Sequence, residues 1–454
     1  MRTTLRRSCD ACARSKLRCD LLLPQCSRCS KRSIDCLYAN EPLSASLTAG
    51  VATTSTQSSP DSEFASFDPF DSYPKTRLPR AHVQRLIQHF LSSITFQYYP
   101  LDMDASSNPF VTSWFPLALA DPALFHVSLQ TASLDVELRA QQGFPNSDIL
   151  MVDSVSLLRR KVQDPSQALR DETLDSVVTL AAIEFGKGNV NVGQAHIDGV
   201  KSMIRLRGGI QQVKMVSPLT ARMVAWVAMI VQQAPQFMTQ DDSLGREGIA
   251  PPPKWHEAIP AIDAEIVDTL DLNPPIDDIL GRLRFLFRQP GGFDLTTTDF
   301  HDLTCFVLHR LLDNTIDFTK DGSSLMSLQS EMTRYAIVLY LLLLHGPTYF
   351  SHARLQYTTS LKLKSLLEQW MLWPSFSTFP VTSWLLTIGL AASESTPEYR
   401  WFSTRAQDLS AQCRIFTWEE ILLQLQSILW FDSLATDQLF RSHWEGILEI
   451  TSNN

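Results

Sequence analysis

The stretch from Cys9 to Cys36 constrains this chain more than any other: CDACARSKLRC, a loop DLLLPQ, then CSRCSKRSIDC. Six of the eight cysteines lie in these 28 residues, spaced C-x2-C-x6-C, six residues, and C-x2-C-x6-C again. Cys9, Cys12 and Cys19 are therefore repeated as Cys26, Cys29 and Cys36. Structural zinc is nearly always four-coordinate and takes thiolates readily, so three per half is one ligand short. Six sulfurs, two of them bridging, supply the eight contacts that two tetrahedral ions need. The spacing thus predicts two zinc ions per chain. A disulfide framework would suit a small secreted domain, but the leading MRTTLRRSCD has no apolar region of a signal peptide. A redox C-x2-C would stand within a strand–helix pattern, which is missing around these two equal copies.

This run resembles the binuclear zinc cluster of fungal transcription regulators. Cys9, Asp10, Cys12, Lys16, Cys19, Pro24, Cys26, Cys29 and Cys36 carry the resemblance. It implies that Cys9 and Cys26 bridge the two ions and that Pro24 shapes the loop between the halves. It also implies that Lys16 reaches the bases of a CGG-type triplet. A lysine donating to guanine O6 and N7 is a sound way to read that base, and such modules place a helix in the major groove. The first repeat is expected to form that helix from about Cys12 to Arg18. The family often carries basic residues just before the lysine and just after the second cysteine; this chain has Ser15 and Ala13 there.

Charge separates the cluster from the rest. Residues 1–40 hold nine Lys and Arg against Asp10, Asp20 and Asp35, while the remaining chain holds 30 basic and 45 acidic residues, a balance of −15. A basic module leading an acidic body suggests nucleic-acid contact at one end. Six thiolates and two Zn2+ leave the metal core at −2, and the surface cations outweigh it. Arg14, Arg18, Arg28, Lys31 and Arg32 are read as phosphate contacts, which position a protein on DNA without specifying sequence.

Residues 41–78 are expected to form a flexible linker. NEPLSASLTAGVATTSTQSSP is rich in Ser, Thr and Ala with almost no charge, and such sequence cannot build a core. DSEFASFDPFDSY, residues 61–73, alternates acids with aromatics, the composition of disordered activation segments; the plainer reading is aromatics docked on the body. No sustained heptad follows the cluster, so no coiled coil is expected and dimerisation stays open.

The body, residues 79–454, reads as all-α, which makes the whole chain mostly α. Val83, Leu86, Ile87, Phe90, Leu91 and Ile94 follow a helical period. Asp121-Pro122 pairs an N-cap with proline at the first helical position. Further helices are expected near 147–163, 171–185, 192–206, 217–233, 276–288, 299–313, 325–345, 352–371, 380–393, 400–413, 417–431 and 435–448. Residues 238–275, with Pro251, Pro252, Pro253 and Pro260, read as a long surface loop or a join between halves. Cys305 and Cys413 read as core thiols, Trp384, Trp401, Trp418 and Trp430 as packing residues, and Gly208-Gly209 as a helix terminator. The longest apolar run, Ile337 to Leu344, is too short to span a bilayer.

HIDGVKSMIRLRGG, His196 to Gly209, and the pattern SWLLTIGL…YRWF…FTWEEILLQLQSILW, Ser383 to Trp430, resemble the fungal-specific regulatory domain found behind such clusters. No G-x-S-x-G, G-x-x-x-x-G-K-[ST] or H-E-x-x-H is present. GKGNVNVG lacks the spacing of a dinucleotide loop. The ten histidines are scattered, and each is expected on a surface or helix face. The catalytic checklist finds no constellation, so no enzyme is expected. The reading is a nuclear, sequence-specific regulator of RNA polymerase II transcription, an activator in character, that binds double-stranded DNA and engages coregulators without a membrane. The alternative is a scaffold whose zinc cluster binds protein.

Overall fold

The computed structural model describes residues 10–15, 17, 27–34, 73–98, 104–141, 143–241, 248–258, 270–288, 295–313, 324–372 and 379–452. The chain divides into two compact units, Met1–Phe67 and Asp68–Asn454. Among the described residues the regular structure is helical, and one isolated bridge, Thr239 to Ile249, is the only pairing of extended chain. The mostly α expectation therefore holds. No helix among the described residues is long and apolar enough to cross a membrane.

In the larger unit the helices begin where the chain can satisfy their free N–H groups. Asp121 caps Pro122–Ala140 by accepting from Leu124 N at 2.9 Å, and Lys161 pairs with the same carboxylate. Thr296 with Asp299, and Thr417 with Glu420, form reciprocal capping boxes for Thr297–Leu312 and Trp418–Ile428. Helix Pro145–Gln163 is capped from a distance: the buried Glu137 carboxylate accepts from Asn146 N at 2.8 Å and Ser147 N at 3.2 Å. Gly208 and Gly209 lie at φ 90° and 96°, and Gly209 N returns to Ile204 O at 3.0 Å, ending Val190–Leu206 as expected.

Two packing groups share the core. Pro122–Ala140 lies against Pro145–Gln163 and Asp171–Gly186, which in turn packs on Val190–Leu206 and Pro218–Gln232. In the second group Ser324–His345 meets Thr297–Leu312, Ala353–Trp370 and Phe379–Ala392. Phe379–Ala392, buried along nearly its whole length, is enclosed by Tyr399–Cys413, Trp418–Ile428 and Leu434–Ser452. Pro218–Gln232 touches Thr297–Leu312 and joins the groups. Trp384, Trp418 and Trp430 are buried as expected, while Trp401 is half-buried and stacks edge-on to Phe402.

Several expectations need correction. The 238–275 stretch is not simply surface loop: Ile249 to Pro252, Trp255 and Ala258 are buried around a short helix, Pro253–Glu257. Arg282 explains this, because its guanidinium donates to Trp255 O and Ala258 O at 2.9 Å each and lies over the Trp255 ring. Cys413 is exposed at the end of its helix, whereas Cys305 is buried, which pushes its thiol up to about 12. The period over 83–94 is real, but the helix passes through a π-turn at Phe90–Ile94 that turns both aromatic and aliphatic side chains inward. Residues 41–72 lie outside the described residues, and with them most of the acidic–aromatic segment. Its last aromatic, Tyr73, stacks on Phe125 at 5.6 Å, the docked arrangement.

The histidines are not all at surfaces. His301, His345 and His352, from three helices or helix starts, surround the buried Trp226, whose ring lies 4.5 Å from that of His345. His301 Nδ1 and His345 Nε2 share one hydrogen bond of 2.9 Å, so the two rings cannot both be protonated. Burial lowers His301, His309 and His352 to about 4 each, and lowers His345 as well. Beside them Asp302 forms ion pairs with Arg222 and Lys214; burial works to raise its carboxyl, but the two cations outweigh it and the pKa is lowered. Unfolded histidine titrates near 6.5, so between about pH 6.5 and 4 the unfolded chain binds more protons than the folded one. The stability these histidines contribute is therefore fully present above pH 6.5 and falls as pH drops, by up to about 1.4 kcal/mol per pH unit for each, while the buried Asp175, its carboxyl pushed up by burial, works the other way. Urea melts at pH 7 and pH 5 measure this, and equal midpoints contradict it.

Candidate metal centre and nucleic-acid interface

The smaller unit repeats in structure as it does in sequence. Two five-residue helices, Asp10–Arg14 and Ser27–Lys31, each begin one residue after the first cysteine of a half. Each carries the second cysteine, Cys12 or Cys29, at its third position. The first helix starts two residues earlier than expected and stops at Arg14, because the backbone opens into a wider turn: Leu17 N donates to Cys12 O at 3.0 Å. The same closing bond recurs in the second half, from Ile34 N to Cys29 O at 3.1 Å. Ser15 Oγ further closes the first turn by donating to Ala11 O at 2.8 Å.

Cys12 and Cys29 are each 2% exposed, yet the described residues around them supply no apolar core. Leu17 and Ile34, which occupy equivalent positions, are 38% and 46% exposed. Buried thiols without an apolar core fit sulfurs that serve as metal ligands, and thiolate is the softest donor a zinc ion meets in proteins. Cys9, Cys19, Cys26 and Cys36 lie outside the described residues. Among the described residues alone no group of three metal-ligating side chains forms.

The basic residues follow the same repeat. Arg14 and Lys31 occupy equivalent positions at the ends of the two short helices, and both are exposed. Arg32 is exposed after the second helix, and Arg28 is half-buried within it. Ser33, at φ 50°, holds in the second half the place that Lys16 holds in the first. A serine there removes the base-reading candidate from the second repeat, so the repeat is one of metal ligands and not of DNA-reading groups. Lys16 and Arg18 lie outside the described residues. The equivalence of Arg14 with Lys31 is present in the sequence, but only alignment of the halves by their closing bonds makes it visible.

Comparison with known proteins bears on both units. Residues 7–45 match the family model of the fungal Zn(2)-Cys(6) binuclear cluster domain. Residues 85–239 match that of the fungal specific transcription factor domain. A Zn(2)-C6 fungal-type transcription factor of Aspergillus oryzae is 60% identical over 35 residues, 8% of this chain and 9% of that protein. The lactose regulatory protein of Kluyveromyces lactis is 24% identical over 202 residues, 43% of this chain and 22% of that protein. The chain thus spans less than a quarter of the length of either relative in these matches. No solved structure matches it. The binuclear cluster domain is one that holds two zinc ions on six cysteines, and the fungal-specific match falls on the helices of the first packing group. The chain carries both domains of the fungal Zn(2)-Cys(6) transcription factors, the binuclear cluster ahead of the helical regulatory domain.

Proposed function

We propose that the chain is a nuclear transcription regulator that binds double-stranded DNA through residues 1–40 and acts on RNA polymerase II promoters through its body, residues 79–454. The observation that carries this reading is the duplicated turn. Two equal helices hold one buried cysteine each and set Arg14, Lys31 and Arg32 outward in a module that is otherwise too small to fold on apolar burial. Cys9, Cys12, Cys19, Cys26, Cys29 and Cys36 hold the two zinc ions. Zinc held by these sulfurs would supply most of the folding energy of so small a module.

In this reading Lys16 contacts the bases of a CGG-type site, and Arg14, Arg18, Arg28, Lys31 and Arg32 contact phosphates. The two classes separate by experiment. Lys16→Ala weakens binding to the preferred site by about 1–3 kcal/mol and relaxes discrimination, as loss of a base contact does. Arg14→Ala and Lys31→Ala weaken all sequences alike and each reduce the salt slope by about one. Fluorescence anisotropy with CGG-containing and scrambled duplexes at several salt concentrations measures both. An unchanged ranking of sites in Lys16→Ala would remove the base-reading role. Salt-independent binding by the parent protein would favour a protein-binding cluster instead.

The acidic body supports the division of labour. The chain after residue 40 carries a balance of −15, and such charge repels phosphate. Its roles are then contacts with coregulators and response to effectors.

A further inference from the structure

A cavity of about 360 Å³ opens in the second packing group, among helices Thr297–Leu312, Ser324–His345 and Leu434–Ser452. The middle of Ser324–His345 is closely covered: Ala336 to Leu342 are each 1% exposed or less. Leu343 and Leu344, in the next turn, are only partly buried and line the cavity. The packing surface of the helix continues there, but the described residues do not supply the atoms to cover it. Phe300 and Phe431 add an aromatic wall, their rings stacked at 6.1 Å and 30°.

The other end of the cavity is polar. Ser433 Oγ accepts from Thr436 N at 3.1 Å, capping Leu434–Ser452, and lies 2.8 Å from Thr436 Oγ1. One hydroxyl proton is used between the two oxygens, so the other is left for an acceptor from outside. No charged side chain lines the cavity among the described residues. An ion buried there would have no partner, and uncompensated burial of charge is costly. Ordered water needs several polar partners, which the Leu343, Leu344 and Phe300 side does not offer. The volume falls in the range of about 300–1,000 Å³ of small-molecule sites.

We propose that this cavity binds an uncharged, ring-bearing small molecule, its rings against Phe300, Phe431 and Leu344 and a carbonyl or hydroxyl oxygen at Ser433–Thr436. The site belongs to the body and stands independently of the DNA-binding reading. N-phenyl-1-naphthylamine, a neutral aromatic compound whose emission rises in apolar surroundings, serves as the probe. Titrated into the full chain, it binds at one site with a dissociation constant below about 100 µM.

Two plugs from different helices test the location. Ala435→Phe and Thr297→Phe sit at exposed positions of the cavity rim, in the first turns of their helices. Each weakens probe binding at least tenfold while circular dichroism and the melting midpoint stay near those of the parent. Leu423→Phe, at an exposed position outside the cavity lining, leaves binding unchanged. Absence of saturable binding up to 100 µM overturns the proposal. So does binding to both folded rim variants at parental affinity, or an equal loss in Leu423→Phe.

Discussion

Replacing Cys29 with serine abolishes specific DNA binding, a loss of more than about 100-fold, and leaves the helical body intact. Cys29 is buried in Ser27–Lys31, and the turn that follows closes on its own carbonyl. In the proposed two-zinc arrangement Cys29 would be one of the six sulfurs that hold the metal, so its removal would leave the set one ligand short. A serine hydroxyl is a poor substitute for thiolate. Structural zinc supplies about 10–16 kcal/mol of apparent binding energy in small zinc-finger peptides. Loss of a large part of that energy exceeds the marginal stability of any domain this size. The helical signal and melting midpoint of the protein reside in the Asp68–Asn454 unit and change little. Gel-shift titration beside circular dichroism measures both effects. Parental DNA affinity in Cys29→Ser would mean that this sulfur is not a required ligand.

Substituting Gly389 with alanine destabilises the body by up to about 2 kcal/mol. Two effects compete. Alanine favours a helix interior by about 1 kcal/mol over glycine. Against this, a Cβ at Gly389 would lie 2.6 Å from Phe402 Cζ and closer still to Cε1 and Cδ1, inside the 3.0 Å that real Cβ atoms respect. Phe402 is fully buried and packed edge-on to Trp401, so its ring has no room to retreat. Overpacking of this kind costs about 1–3 kcal/mol and at times more, so it outweighs the propensity gain. Chemical denaturation gives the sign. The double variant Gly389→Ala with Phe402→Leu recovers part of the loss, and the cycle isolates the contact. A stabilised Gly389→Ala would show that Phe379–Ala392 and Tyr399–Cys413 pack less closely than the structure has them.

What the sequence discloses depends on how near in the chain the cooperating residues lie. The cysteine repeat is legible because all six ligands fall within one short stretch. Helix starts at Asp121-Pro122 are legible because the cap is local. The boundaries of Pro145–Gln163, Asp171–Gly186 and Pro218–Gln232 follow from apolar period and lie within two residues of expectation. By contrast, Trp226, His301, His345 and His352 come from distant parts of the chain, and no spacing announces that they meet. Prolines at 251–253 signal a loop, but Arg282, on a later helix, holds that loop down through two carbonyls. Leu343 and Leu344 continue an apolar run and read as core; only the helices around them leave the cavity uncovered.

In the proposed function, two zinc ions on six cysteines hold together the module whose lysines and arginines meet DNA. The most direct measurement is zinc content of the purified full chain by elemental analysis, with DNA affinity determined before and after removal of metal by a strong chelator. The expected result is two zinc ions per chain, loss of specific binding on chelation, and its return when zinc is restored. One zinc ion per chain, or DNA binding that survives complete removal of metal, contradicts it.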